Sequence, residues 1–313
     1  MWFWFAIIAL FCWSGSDLFS KIGCRDARDK YSHLKMVIAV GVVMGIHAVY
    51  EICTGAVITW GVIWTYLPVS LLYILSMTLG YVGLRYIELS ISSPICNSSG
   101  AIVAVLCLLT GTLDEGITGG MRWAVIGAVA LVCAGVIGLG IVESREDDAL
   151  RAARQEASNY KYAKSWLALC LPIAYCLLDA AGTFADSVVL TTLEQVIGEG
   201  YEDSANVAYE LTFVFAAAVS FIYVVIIKKD KLVPKMEAPK YVGAIFETAG
   251  QFAYIYAIAD TAHVALSAPI ISAYCAASVV WSRIFLKEKL SVKHYVMIAL
   301  VVAGIVILGV FDI

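Results

Sequence analysis

Charge is scarce in this chain: only 15% of its 313 residues are Asp, Glu, Lys or Arg, against 61% that are hydrophobic. A water-soluble fold of that composition would lack the polar surface to cover its core, which leaves little room for a soluble domain. The signatures of familiar chemistry are missing too. There is no H-E-x-x-H helix, no G-x-S-x-G elbow and no phosphate-cradling loop, so neither hydrolysis nor nucleotide-driven work is expected. The nine cysteines are odd in number and lack ligand spacing, and His33, His47, His263 and His294 have no second ligand at metal spacing. No metal, cofactor or nucleic-acid partner is expected.

Long apolar runs are what the chain does have. A helix needs about 20 apolar residues to cross a hydrocarbon core of roughly 30 Å, because its backbone polar groups must be satisfied within the segment. Ten runs meet that test, near 2–20, 34–53, 61–84, 91–111, 122–142, 165–188, 206–227, 241–258, 264–284 and 294–311. The first begins at Trp2 with no basic residue before it and no small-residue cleavage site after it, so it reads as a retained span. Twenty of the 21 Lys and Arg fall in alternate connections; the other face has only Arg122, with Asp114, Glu115, Glu194, Glu199, Glu202, Asp203 and Asp260. Basic residues stay cytoplasmic during insertion, so the expectation is a multi-pass plasma-membrane protein with cytoplasmic basic loops and extracytoplasmic termini.

The mixed-charge stretch 143–164 divides the runs five and five, giving a first repeat at 1–142, a cytoplasmic linker and a second repeat at 165–313. The halves share a pattern. SSPI, an acidic LDEGIT hairpin and AGVIGLG in the first correspond to SAPI, a basic LKEKLS hairpin and AGIVILG in the second, at an offset drifting from 175 to 169 residues. Lys35 corresponds in the same way to Glu210. An odd number of spans turns the second copy upside down, and the reversed charge of the matched hairpins agrees. The expected fold is thus all-α and polytopic, with ten transmembrane helices as two inverted five-helix repeats, the architecture of alternating access.

The FCWSGSDLFSKIG opening, the RYIELSISSP link and the ADTAHVALSAPI…FLKEKLSVKHY…AGIVILG tail resemble the drug/metabolite transporter superfamily, in particular its ten-helix EamA-type transporters. That resemblance implies a cavity lined by spans 1–4 and 6–9. Spans 5 and 10 carry no charged residue between Trp123 and Val142 or between Tyr295 and Phe311, and their small residues Ala130, Ala134, Gly138, Ala299 and Ala303 are spaced for close helix packing.

Buried charge marks the candidate site. Asp17, Asp179 and Glu247 lie inside apolar sequence, where a carboxylate at the bilayer centre costs roughly 2.5–3.5 kcal/mol on insertion scales. Helical spacing puts Glu247, Gln251 and Tyr254 on one face, as it does Asp179, Thr183 and Asp186; Tyr274, Ser278 and Trp281; Ser93, Asn97 and Gly100; and Trp13, Asp17 and Ser20. At 1.5 Å per residue Asp179 sits about 21 Å from the inner edge and Glu247 about 9 Å. Two readings of these acids stand: binding of solute or proton, or a structural hydrogen bond to a neighbouring helix. For Asp17 the structural partner would be Lys21, one turn on. Asp186, Glu210 and Glu51 are expected in a solvated vestibule, and Glu88 at the interface near Arg85.

Carboxylates beside Trp and Tyr suit an organic cation. The segment from Phe246 to Trp281, with Glu247, Tyr274 and Trp281, also resembles the bacterial choline transporters of the superfamily. The expected activity is secondary transport of a small polar solute such as choline or another amine, as a monomer or homodimer in the lipid bilayer. H+ or another ion would supply any coupling. The alternatives are a proton-coupled exporter of amino acids or metabolites, and a membrane sensor or scaffold.

Overall fold

A computed structural model describes residues 1–26, 28–86, 89–110, 119–144, 166–287 and 290–310. Residues 145–165, which include all but the first two of the linker, the LDEGIT hairpin and Glu88 lie outside the described residues. All regular structure within them is helical. The helices are α1 (Trp2–Cys24), α2 (Ser32–Thr54), α3 (Trp60–Tyr86), α4 (Leu89–Cys96), α5 (Ser99–Thr110), α6 (Gly119–Ser144), α7 (Trp166–Ile197), α8 (Tyr201–Phe221), α9 (Pro234–Ala259), α10 (Val264–Ser272), α11 (Tyr274–Phe285) and α12 (Val292–Val310). A π-helical turn, Ile222–Ile227, extends α8.

Six of the described segments are long and apolar enough to cross a membrane, and three shorter apolar helices accompany them. The chain is a multi-pass membrane protein. Among the helices, α9 is less apolar because it carries Glu237, Lys240, Glu247 and Gln251, and it packs chiefly against α1 and α2.

Two of the expected spans are broken, each four residues after a proline. Pro94 precedes the turn at Asn97–Ser98 that separates α4 from α5, and Pro269 precedes the turn at Ala273 that separates α10 from α11. Proline removes a backbone donor and clashes with the preceding turn, which loosens the helix around it. The backbone tightens in both places. Ser98 N–H donates to Ile95 O at 3.3 Å, three residues back, and Ala273 N–H is shared between Ile270 O at 3.1 Å and Pro269 O at 3.0 Å, three and four residues back.

The most extensive packing joins α1 to α9, α2 to α8, α6 to α12 and α3 to α7. The pair α6 and α12 stands beside the others, but its contact face is not the alanine stripe. Ala130, Ala134, Ala299 and Ala303 are exposed. The helices meet instead through Ala128, Val132, Gly135, Val301 and Gly304, with Gly138, the one member of the stripe at the contact, against Met297; at Gly135 and Gly304 the missing side chain lets each helix touch the other's backbone.

Some charges counted among the basic connections are buried pairs. Asp29, fully buried, receives Lys35 at 2.9 Å and Lys240 at 3.1 Å, and Lys240 also meets Glu237 at 3.1 Å. This cluster ties the α1–α2 connection to the starts of α2 and α9, at what is called here the basic end of the bundle.

Candidate functional site

A cavity lies among α1, α3, α4, α5, α7, α8, α9, α10 and α11, in the half of the bundle nearer the basic end. Its wall on α1 runs from Trp13 through Ser16 and Asp17 to Ser20, and on α3 from Tyr73 to Leu84. The helical period explains both, since residues three, four and seven apart share a face. From α7 come Tyr175, Asp179 and Thr183, and from α9 Glu247, Gln251 and Tyr254. The broken helices add Ser93 and Asn97 on one side and Ser272 and Tyr274 on the other.

Asp17, Asp179 and Glu247 therefore face one space, and no Lys, Arg or His lines it. Each acid is held by serine. Ser93 and Ser278 donate to the same oxygen of Asp17, the latter at 2.8 Å. Ser99 donates to Asp179 at 2.7 Å, and Ser16 to Glu247 at 2.7 Å. These bonds link α1 to α4 and α11, α7 to α5, and α9 to α1. Neutral hydroxyl donors leave the negative charge of an ionised carboxylate uncancelled.

The Lys21 ammonium donates to Leu84 O at 2.8 Å, whereas Asp17 accepts from Ser93 and Ser278. Trp13, Tyr254, Tyr274, Asn97 and Thr183 line the cavity, but Trp281 and Ser278 do not. The Trp281 indole N–H donates to Ser14 Oγ at 3.0 Å, and Ser278 reaches the site only through Asp17. Trp13 packs against Tyr254 with ring centroids 5.1 Å apart and edge-on to Tyr274 at 5.8 Å.

Tyr73, Tyr81, Tyr175 and Tyr209 also line the cavity and were not singled out by sequence. Their signal was available on α3, where Tyr66, Tyr73 and Tyr81 fall close to one helical face. Tyr73 closes the cavity away from the basic end. Its hydroxyl shares a hydrogen bond with that of Tyr254 and reaches Thr183 Oγ1 at 3.3 Å and Asp186 at 3.4 Å. Tyr66 donates to the other oxygen of Asp186 at 2.8 Å.

Asp186 is thus 0% exposed, not the vestibule acid its place near a span end suggests. Glu210 is likewise buried, accepting from His47 at 2.7 Å, with Glu51 3.5 Å from the same ring. The partners come from helices distant in sequence, which spacing along one helix cannot reveal. No group of three or more His, Cys, Asp or Glu side chains is placed to hold a metal among the described residues.

No curated protein matches the chain. A solved structure titled only "Crystal structure of protein" superposes with a TM-score of 0.63, covering 99% of this chain and 96% of its own, at 13% identity. That likeness is one of fold. Residues 201–310 match the model of the EamA-like transporter family, the same half that holds SAPI, LKEKLS and AGIVILG. Through that half the chain is similar to the EamA-like membrane transporters of the drug/metabolite transporter superfamily.

Proposed function

We propose that the chain is a secondary carrier for a small organic cation, choline or another amine being the leading class, working by alternating access between two inverted halves at 1–142 and 165–313. The observation that carries the substrate reading is the cavity itself. Three carboxylates from three helices, Asp17, Asp179 and Glu247, converge with Trp13, Tyr254 and Tyr274 where no basic side chain is present. An ammonium group there gains both counter-charge and the negative faces of the rings.

Helix pairing supports the inverted halves. Exchanging each span of one half for its counterpart maps the α1–α9 contact onto α3–α7 and the α2–α9 contact onto α3–α8. The pairs α2–α8 and α6–α12 map onto themselves, as does the contact between the two broken spans. Broken spans at matching positions of two inverted copies are where carriers place their sites. Their breaks let Ser93 and Ser99 reach Asp17 and Asp179, although they lie on either side of one turn.

In this mechanism the tyrosine closure opens as the basic end shuts, and the bound cation is carried between the two. The test is Glu247→Gln in proteoliposomes. A cation-binding Glu247 predicts weaker solute binding and slower uptake and exchange, whereas a role limited to proton coupling predicts loss of gradient-driven accumulation with exchange retained. Unaltered binding and uptake would remove Glu247 from the mechanism.

A further inference from the structure

The serines leave the acids supplied with donors, yet three other buried donors in the cavity wall, Trp13 Nε1, Gln251 Nε2 and the Tyr81 hydroxyl, have no hydrogen-bond partner. Trp13 packs against Tyr254 and Tyr274, and the other two donors are on polar side chains that the rings do not cover. Gln251 is 3% exposed and its Nε2 meets no acceptor; Tyr81 is 6% exposed and its hydroxyl is unpaired. Both side chains line the cavity, from α9 and α3. A buried donor without an acceptor costs more than a formed hydrogen bond returns, so such groups in a binding cavity mark where the ligand is polar. A solute that was nothing but an alkylated ammonium would bury both and satisfy neither.

Position adds a constraint. Gln251 stands four residues beyond Glu247, about 6 Å along the axis, toward the closure made by Tyr73 and Tyr254. The complementary oxygen therefore lies a few bonds from the ammonium group. Charge adds another. With three carboxylates and no basic residue in the wall, a solute carboxylate would sit in a field of its own sign with nothing to neutralise it.

We infer that the solute carries, beside its ammonium group, a neutral oxygen acceptor such as a hydroxyl or amide carbonyl, and that Gln251 and Tyr81 select for it. This rests on the cation reading above. It separates amino alcohols and amino amides from plain alkylammonium ions on one side and from zwitterionic amino acids and betaines on the other.

Calorimetric titration of the purified full-length chain with two matched series tests it: ethyltrimethylammonium, choline and glycine betaine; and isobutylamine, valinol and valine. In the favoured series the alcohol binds about tenfold tighter than both relatives, the loss expected when a buried donor goes unpaired. Tyr81→Phe keeps the ring and packing and reduces the alcohol's advantage over the plain ammonium to within about twofold. Gln251→Leu does the same through the other contact. Equal affinity for alcohol and plain ammonium, or preferences unchanged in both variants, overturns the inference and leaves the cation reading standing. A zwitterion binding most tightly overturns the neutral-oxygen requirement, and failure of all six to bind overturns the cation reading and this inference with it.

Discussion

Gly135 and Gly304 make the same contact in reverse. A Cβ on Gly135 would meet Met297 O at 2.8 Å and Val301 Cγ2 at 2.5 Å, and one on Gly304 would meet Ala128 O at 2.7 Å and Val132 Cγ2 at 2.6 Å. Each member of one set is 169 residues from its counterpart in the other, the offset that relates AGVIGLG to AGIVILG. This reciprocity is what the proposed inversion of the halves requires of two equivalent helices that cross on a shared axis.

The crossing predicts paired behaviour on mutation. Gly135→Leu and Gly304→Leu each push the backbones of α6 and α12 apart, costing about 1–3 kcal/mol. Thermal unfolding in detergent should show similar shifts for the two. The double variant should lose less than their sum, since the first insertion already separates the helices.

The buried cluster at the basic end predicts a sharp contrast between ion pairs. Lys240→Met leaves Asp29 and Glu237 short of a cation where Lys240 and Asp29 are wholly buried, at a cost of about 3–5 kcal/mol. Arg28→Ala removes a pair with Asp26 in which the guanidinium is 89% exposed, and the unfolding temperature should not change. Equal effects would show that the cluster is wetter than its geometry implies.

The tyrosine closure predicts a change in access. Tyr73→Phe removes the hydroxyl that joins Tyr254, Thr183 and Asp186. In a cysteine-free background carrying Asn97→Cys, a membrane-impermeant thiol reagent applied opposite the basic end should label the cavity at least about threefold faster once Tyr73 is Phe, if each lost bond contributes about 0.5–1.5 kcal/mol to closure. An unchanged rate would mean that the closure rests on helix packing alone.

Much of this was legible in the chain. Apolar runs gave the helices to within a few residues at most ends, because a membrane leaves the backbone no alternative to helix. Asp17, Asp179, Glu247 and Gln251, conspicuous as polar residues inside apolar sequence, do face one cavity. The breaks after Pro94 and Pro269 were hidden because the flanking residues stay apolar and a single tightened turn changes no periodicity. Asp186 was misplaced because its partners, Tyr66 and Tyr73, are more than a hundred residues away. The alanines of α6 and α12 misled because spacing shows that a face exists, not which neighbour it meets.

Inversion of the halves is the claim from which the midplane site and alternating access both follow. Single cysteines placed at positions 115 and 290 of a cysteine-free chain, probed with an impermeant thiol reagent in sealed vesicles of known orientation, test it most directly. The account predicts that the two label from opposite faces of the membrane; labelling from the same face would contradict it.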